Sequence, residues 1–251
     1  MKTGAKRVRA DQLLVDRALA ESRTKAQALI LAGVVYRDEV RVQKSGDLLP
    51  SDAEIDVRAA ANPFVSRGGI KLEGALNAFQ VNVQDLRCLD LGASTGGFTD
   101  CLLQRGAKAV VAVDVGYGQL AQKLRSDVRV TNMERTNGRE LGPEDIGGSV
   151  DLAVVDASFI GLKQLLPALA RCVRPRGYLV ALIKPQFEVG RDAISKTKGV
   201  VRDEALRQST IERVLEETKE AGFRVLGSTD CVITGPKGNQ EAFVFGERIP
   251  Q

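Results

Sequence analysis

Histidine is absent from this chain of 251 residues. Without an imidazole the chain cannot form a Ser-His-Asp triad or use a histidine general base, and it lacks the commonest metal ligand in proteins. Any proton transfer must therefore use lysine, tyrosine, cysteine or a carboxylate side chain.

Cysteine is scarce, and the four cysteines lie far apart at positions 88, 101, 172 and 231. No two of them form a C-x-x-C pair, the spacing typical of zinc sites and redox dithiols. We therefore expect no metal site. Cys88 lies in an apolar run and is expected in the core.

Long apolar runs are also missing. Runs such as Tyr178 to Ile183 are far shorter than the ~18 residues that a membrane-spanning helix needs. The basic N-terminus is not followed by an apolar segment, so it does not resemble a signal peptide. The net charge of +4 is compatible with nucleic-acid binding. We expect a cytoplasmic protein with no membrane partner.

The most informative segment is a glycine-rich turn that follows the apolar run Cys88 to Leu91 and precedes a helical stretch at Phe98 to Arg105. A turn of this kind lets the backbone approach a nucleotide-like cofactor at a helix N-terminus. The dinucleotide motif G-x-G-x-x-G is absent because Ser94 stands two residues after Gly92. The P-loop motif is absent because Phe98 stands where its lysine would be.

The pattern that remains, D-x-G-x-x-x-G-G from Asp90 to Gly97, resembles the S-adenosylmethionine loop of doubly wound methyltransferases. The next apolar run, Ala109 to Val113, ends in Asp114. An acidic residue about 20 positions past the loop suits a pair of ribose hydroxyls.

Apolar runs alternate with helical periodicity from residue 67 onward. Val150 to Val155 and Tyr178 to Ile183 have the continuous apolar character of strands in a parallel sheet covered on both faces. Helices are expected near 162–172 and 206–222, with a turn at Pro175 and Gly177 between the first helix and its strand. This alternation predicts an α/β fold with a doubly wound, Rossmann-like sheet over residues 67–251.

Residues 1–60 have a different composition, with ten basic and five acidic residues between Met1 and Ser45. Two short amphipathic helices are predicted, the first capped by Asp11 and the second running from Ser22 to Gly33, followed by small strands. The pattern Arg-x-Asp-x-x-Leu at 9–14 and Ser-Arg-x-x-Ala-x-x-Leu-Ile-x-x-Gly-x-Val at 22–35 resembles the S4-type RNA-binding module.

The resemblance implies a small α+β RNA-binding domain at 1–60, joined by a linker at 61–66 to the larger domain. One departure is that Tyr36-Arg37-Asp38-Glu39 replaces the usual Asn-Gly hairpin turn, so the turn must be built differently. RNA contacts are expected in this domain from Arg7, Arg9, Arg23, Lys25 and Arg37.

Four polar residues lie at the ends of predicted elements of the larger domain. Asp156 and Lys184 each follow an apolar strand, so both are expected at the carboxyl edge of the sheet, where α/β sites are built. Lys71 opens the helix before the first strand, and Glu241 begins the last strand. Each residue alone is explained by a helix cap, a solvated side chain or a surface ion pair.

Together these four residues match the order of the Lys-Asp-Lys-Glu tetrad of FtsJ-like RNA 2′-O-methyltransferases. The sequences around them, Ser-Arg-Gly-Gly-Ile-Lys at 66–71, Val-Asp-Ala-Ser-Phe-Ile at 155–160, Ile-Lys-Pro-Gln-Phe-Glu at 183–188 and Asn-Gln-Glu-Ala at 239–242, resemble the TlyA (haemolysin A) family. Members of that family join an S4-like module to an FtsJ-like methyltransferase domain.

The resemblance implies S-adenosylmethionine as cofactor and 2′-O-methylation of ribosomal RNA, either free or in an assembled subunit. It assigns Lys184 as the base or alkoxide stabiliser, Asp156 as its orienting partner, and Glu241 as the residue that positions Lys71 and the ribose. The expected cofactor contacts are Asp90, Gly92, Ser94, Thr95, Gly96, Gly97, Phe98, Asp114, Val115, Asn132, Met133 and Asp156.

The segment Phe187 to Arg202 lacks apolar periodicity and is either a basic loop over the substrate channel or a plain solvated loop. Further RNA contacts are expected from Arg67, Arg191, Lys196 and Lys198. Two other functions stay open: a membrane-active haemolysin and a non-catalytic RNA-binding protein. Methylation of a base nitrogen fits less well, because Asp-Ala-Ser-Phe at 156–159 lacks the prolines of the [DN]-P-P-[YF] motif.

Overall fold

The computed structural model describes residues 6–31, 33–38, 40–57, 62–189 and 199–250. The chain forms two units, Met1–Pro63 and Phe64–Gln251. The boundary falls inside the segment 61–66, for which we predicted a linker. Phe64 is buried and packs in the core of the second unit, so that unit begins before Arg67.

The first unit is a small α+β fold. Its helices are α1 (Ala10–Asp16) and α2 (Arg23–Leu31). Its strands are β1 (Arg7–Arg9), β2 (Val35–Arg37), β3 (Val40–Arg41), β4 (Leu48–Pro50) and β5 (Ile55–Val57). Strand β1 pairs with β4, while β3, β2 and β5 form an antiparallel sheet in that order. Apolar side chains of both helices form its core.

The predicted cap of α1 is wrong. Arg9 precedes the helix, whereas Asp11 lies within the first turn and is fully buried. The carboxylate turns inward because Arg9, Arg23 and Gln27 all donate hydrogen bonds to it. The predicted start of α2 is confirmed, since the Ser22 hydroxyl accepts from the backbone N–H of Lys25 at 3.3 Å.

The hairpin between β2 and β3 turns without glycine. Arg37 pairs with Val40, and Asp38 has a φ of 48°. Aspartate tolerates this left-handed conformation better than most residues do, so it supplies the positive φ that the Asn-Gly turn usually provides.

The second unit is built on a seven-stranded sheet. Its strands are β6 (Arg87–Leu91), β7 (Ala109–Val113), β8 (Val130–Met133), β9 (Val150–Val155), β10 (Val173–Ile183), β11 (Phe223–Asp230) and β12 (Ala242–Arg248). Their spatial order is β11-β12-β10-β9-β6-β7-β8. Five neighbouring strands are parallel to one another: β10, β9, β6, β7 and β8. Strand β12 runs antiparallel to both of its neighbours, β10 and β11.

Helices cover both faces of this sheet. They are α3 (Arg67–Ala78), α4 (Gly97–Gln104), α5 (Gln122–Arg125), α6 (Leu166–Cys172), α7 (Pro185–Glu188) and α8 (Glu204–Glu220). Side chains of α3 and α4 pack in one core layer, and side chains of α6 and α8 pack in the other. The central strands are apolar on both faces because both are covered. The predicted doubly wound α/β fold is confirmed.

Two predicted elements differ in detail. The helix predicted near 162–172 is divided into a 3₁₀ turn at Leu162–Gln164 and α6, which has Pro167 in its first turn. The turn predicted at Pro175 and Gly177 is instead an irregularity inside β10, where the register with β9 shifts between Val173 and Tyr178.

The order of strands places a crevice beside β6. The chain proceeds from β6 outward to β7 and β8, then returns to place β9 on the other side of β6. At such a reversal the loops after the two central strands diverge, and ligands bind outside the carboxyl ends of the strands. The glycine-rich turn follows β6, and Asp156 follows β9, so both lie at this point.

Candidate active site

The turn after β6 is shaped by two glycines in the left-handed region, Gly92 at φ 88° and Gly96 at φ 95°. A Cβ atom on Gly92 would lie 2.8 Å from the backbone oxygen of Asp156, closer than a real Cβ approaches. The close approach of the β6 and β9 loops therefore requires glycine at this position. Gly96 is the residue that precedes α4.

Asp90 lies beneath the turn rather than in a cavity. It is fully buried, and its Oδ2 accepts hydrogen bonds from the backbone N–H and the hydroxyl of Thr99 at 2.8 and 2.6 Å. Its Oδ1 is buried without a hydrogen-bond partner among the described residues. Burial raises the pKa of Asp90 to about 7. Asp90 thus fixes the start of α4 and carries one unsatisfied oxygen.

Asp114 lies where the sequence predicted, directly after β7. Its Oδ2 accepts from the backbone N–H of Ser94 at 2.8 Å, and its Oδ1 accepts from that of Gly116 at 2.7 Å. Each carboxylate oxygen has a further lone pair for a ligand. A cavity of about 460 Å³ adjoins this carboxylate, with Val115 and Phe159 among its walls.

Several predicted cofactor residues do not line this cavity, among them Gly96, Asn132 and Met133. Asn132 is exposed on β8 and Met133 packs against the core, whereas residues 136–139, which follow β8, line the wall. This loop has no apolar periodicity, so sequence reasoning missed it. Gly116, Gln119 and Ser158 were also missed, although each lies within a few residues of a predicted contact.

A second cavity, of about 280 Å³, shares Gly92, Ser94, Asp156 and Ser158 with the first. Lys71 and Lys184 line it. The other predicted residues in its wall are Arg67, Thr95, Gly97 and Phe98. The two cavities therefore join the glycine-rich turn to both lysines of the predicted tetrad.

Lys71 is positioned by the first turn of α3. Ser66 caps this helix, its hydroxyl accepting from the backbone N–H of Gly68 at 3.3 Å. Lys71 Nζ lies 2.5 Å from Glu241 Oε2, and both side chains are buried. Glu241 comes from the loop before β12, so this pair joins residues 170 positions apart in sequence.

Lys184 follows β10 directly. Its Nζ lies 2.5 Å from Asp156 Oδ1 and 2.8 Å from the hydroxyl of Ser158. Strand β10 ends with Ile183 opposite Ala242 of β12. This register carries Lys184 and Glu241 off the sheet at the same edge, and the two lysine–carboxylate pairs come together there.

Burial raises the pKa of Asp156, while the charges of Lys184 and Lys71 act in the opposite direction. The Asp156 side chain is 22% exposed and that of Lys184 is 10% exposed. The pair is therefore screened from water on most sides yet open to the cavity. Such an arrangement can hold and exchange a proton next to a bound hydroxyl group.

The residues predicted to bind RNA lie in several places. Arg7 and Lys25 are exposed on the first unit, as are Arg9 and Arg23, which share Asp11. Arg37 lies 3.3 Å from Asp38. In the second unit, Arg67 donates to the backbone oxygen of Thr234 at 2.9 Å. Arg191, Lys196 and Lys198 lie outside the described residues.

Comparison with known families gives a match over residues 64–248 to the model of the FtsJ-like methyltransferases. A Mycobacterium tuberculosis protein, the 16S/23S rRNA (cytidine-2′-O)-methyltransferase TlyA, is 48% identical over 242 residues, covering 96% of this chain and 90% of that protein. Membership of this class would account for the residue types at the site.

Solved structures agree with this match. A protein from Streptococcus thermophilus, provisionally named a hemolysin, is 41% identical with a TM-score of 0.77, covering 98% of this chain and 90% of that one. An S-adenosylmethionine-dependent methyltransferase from Mesorhizobium loti shares the fold at 20% identity with a TM-score of 0.53, covering 70% of this chain and 96% of its own. No helix in the described part of the chain has the length and apolar content to span a bilayer.

Proposed function

The chain belongs to the TlyA proteins of the FtsJ-like methyltransferase family, and we propose that it methylates ribose 2′-hydroxyl groups of ribosomal RNA. The observation that carries the proposal is the junction of the two cavities, where Lys184 and Asp156 lie 2.5 Å apart. We propose that this pair handles the proton of the reaction, between a nucleoside-sized cavity and a second, polar one.

The residues of the larger cavity fit S-adenosylmethionine. Its volume of about 460 Å³ lies within the range of small-molecule sites. Asp114 offers carboxylate lone pairs of the kind that accept ribose hydroxyl protons. The cavity has apolar walls suited to a base, formed by Val113, Ile160 and Leu165. Gly92 has no side chain, so the backbone can come close at this point. We propose that these residues hold the cofactor.

When bound, the cofactor supplies an electrophilic methyl group on a sulfonium sulfur. We propose that Lys184 meets the attacking 2′-oxygen and stabilises the negative charge that develops as its proton leaves. Asp156 and Ser158 orient the Lys184 amine through contacts at 2.5 and 2.8 Å. As the 2′-oxygen loses its proton, the Lys184 ammonium can pass one of its own protons to the Asp156 carboxylate and take up the ribose proton, within a site that is screened from water on most sides.

Lys71 lines the smaller cavity and is fixed by Glu241. We propose that it contacts the ribose from the side opposite the cofactor, so that the 2′-oxygen is held in line with the methyl group. The N-terminal unit, with its exposed Arg7 and Lys25, is proposed to be the S4-like module that binds RNA phosphates. Ribosomal RNA as substrate in turn implies a cytoplasmic location.

The test is methyl transfer from radiolabelled S-adenosylmethionine to purified 30S and 50S subunits and to free ribosomal RNA. Lys184→Ala is expected to lower kcat by at least roughly 100-fold, the contribution of a positioned proton-transfer group. Lys219→Ala is the control, because this exposed lysine pairs only with Glu216 among the described residues and is remote from the cavities. Cofactor affinity is measured for each variant by calorimetry.

Unchanged cofactor affinity with transfer lost only in Lys184→Ala would support the assignment. Equal rates in wild type and Lys184→Ala would contradict it. Tight cofactor binding without transfer to any of the three substrates would exclude ribosomal RNA as the substrate.

A further inference from the structure

One polar side chain beside the two lysine–carboxylate pairs has no role in the proposed function. Gln186 lies in α7, two residues after Lys184. Its Nε2 donates a hydrogen bond to Glu241 Oε1 at 3.3 Å. The junction of β10 and α7 thus carries one side chain to each pair: Lys184, which precedes α7, contacts Asp156, and Gln186 in α7 contacts Glu241.

Gln186 supplies the hydrogen-bond donor for the second oxygen of the Glu241 carboxylate. The other oxygen, Oε2, contacts Lys71 Nζ at 2.5 Å, so each carboxylate oxygen has its own partner. The backbone of Gly235 packs beside Oε1, since a Cβ atom on Gly235 would lie 2.7 Å from that oxygen. Rotation of the carboxylate would break both contacts, and the amide holds it in the orientation that faces Lys71.

The orientation of the amide follows from the chemistry of its partner. A carboxylate only accepts hydrogen bonds, so the amide must present its nitrogen to Glu241. Its oxygen then faces the other way, and Gln186 Oε1 is buried without a hydrogen-bond partner among the described residues. Burial of an unpaired acceptor destabilises a fold. A residue present only for packing would avoid this cost, as methionine does.

We propose that Gln186 is a positioning residue for methyl transfer, which fixes the Glu241 carboxylate and through it the Lys71 amine. The inference rests on the proposed function and adds a residue to it. Gln186 acts at one remove from the substrate: it does not line either cavity, and its effect reaches the ribose through Glu241 and Lys71.

The first test is Gln186→Met, which keeps the length of the side chain and removes both polar atoms. The expected result is a fall in kcat of roughly 10-fold, from the loss of a hydrogen bond to a charged group. The KM values for cofactor and RNA should stay within twofold, because neither ligand touches this side chain. The thermal midpoint should change little, since the unpaired Oε1 disappears together with the useful donor.

Gln208→Met is the matched control. Gln208 also donates to a carboxylate, Glu212 Oε1 at 3.2 Å, but this pair is exposed on α8. Its replacement should leave kcat unchanged. A loss of thermal stability in Gln186→Met that accounts for the lost activity would overturn the proposal in favour of a purely structural role.

A double-mutant cycle with Glu241→Gln decides whether Gln186 acts through Glu241. In that background Gln186→Met should lower kcat by less than twofold, because the carboxylate it positions is gone. A second fall of about 10-fold would overturn the proposal.

Gln186→Glu is the second variant. It brings a second carboxylate next to that of Glu241, and the repulsion between them should lower kcat further than Gln186→Met does.

The cycle separates this inference from the proposed function. If the wild-type protein transfers methyl groups to RNA and the two substitutions act independently, only the role of Gln186 fails. If the wild-type protein transfers none, the proposed function fails and the inference fails with it.

Discussion

At the scale of single residues, the candidate site is built from charges that neutralise one another. Lys71 pairs with Glu241 and Lys184 pairs with Asp156, each at 2.5 Å. Buried lysines without such partners would be strongly destabilising. The pairing explains how two lysines can line one small cavity.

Some residue-scale features could be predicted from sequence and others could not. The strand ends located Asp114, Asp156 and Lys184, because an apolar run followed by a polar residue marks the carboxyl edge of a sheet. The inward turn of Asp11 depends on donors from β1 and α2, which no local pattern reveals. Asn132 was misplaced because the chain leaves β8 before the wall of the cavity begins.

The raised pKa of Asp90 predicts how the stability of the fold depends on pH. Its pKa is raised to about 7 in the folded chain, against an ordinary value of about 3.9. Between these values the unfolded chain has lost this proton while the folded chain retains it. Asp90 therefore stabilises the fold fully below about pH 4 and loses this contribution as the pH rises to about 7.

Asp90→Asn removes this titration while its amide oxygen can still accept both hydrogen bonds from Thr99. The free energy of unfolding of the variant should fall less between pH 4.5 and 7 than that of the wild type, with a difference in slope of up to about 1.4 kcal/mol per pH unit. Urea denaturation at several pH values measures this. Parallel pH profiles would contradict it.

At the scale of elements, the order of strands decides where the site lies. Reversal of the chain beside β6 brings the loops after β6 and β9 together. The alternation of strands and helices could be predicted from apolar runs. The division of the 162–172 helix and the early start of β10 could not, since Pro167 and the register shift near Pro175 act through tertiary packing.

Substitution of Gly92 tests the contact between the loop after β6 and the loop after β9. Gly92→Ala adds a Cβ at 2.8 Å from the Asp156 backbone oxygen and strains a φ of 88°. We expect a loss of about 1–3 kcal/mol in stability from the strain and a clear rise in the Kd for S-adenosylmethionine. Calorimetry and urea denaturation measure the two effects.

Gly148→Ala is the control for Gly92→Ala. Its φ is 111°, but a Cβ there meets nothing within 4 Å, and it precedes β9 at the opposite edge of the sheet. This variant should lose stability and keep its cofactor affinity. Equal effects of both substitutions on the Kd would show that the loop contact is not needed for binding.

At the scale of the whole molecule, the chain forms two units that differ in composition. The larger unit contains both cavities and the four residues of the predicted tetrad. The smaller unit contributes exposed basic residues. The boundary between the two units could be predicted from composition, because the excess of basic residues is concentrated before residue 46.

This division predicts separable effects on substrate binding. Arg7→Ala and Lys25→Ala should raise the KM for ribosomal subunits and each lower the salt dependence of RNA binding by about one ion, while kcat and cofactor affinity are unchanged. Binding titrations at several salt concentrations measure this, with Lys219→Ala as control. A fall in kcat without a change in KM would contradict the assignment of these residues to RNA phosphates.

The chemical identity of the methylated nucleoside is the measurement that tests the proposed function of the chain. Subunits treated with wild-type protein or Lys184→Ala are digested and analysed by mass spectrometry. We expect a 2′-O-methylated nucleoside, with a phosphodiester bond resistant to alkali, that is absent after treatment with the variant. A methyl group on a base, or the same ribose mark made by Lys184→Ala, would contradict it.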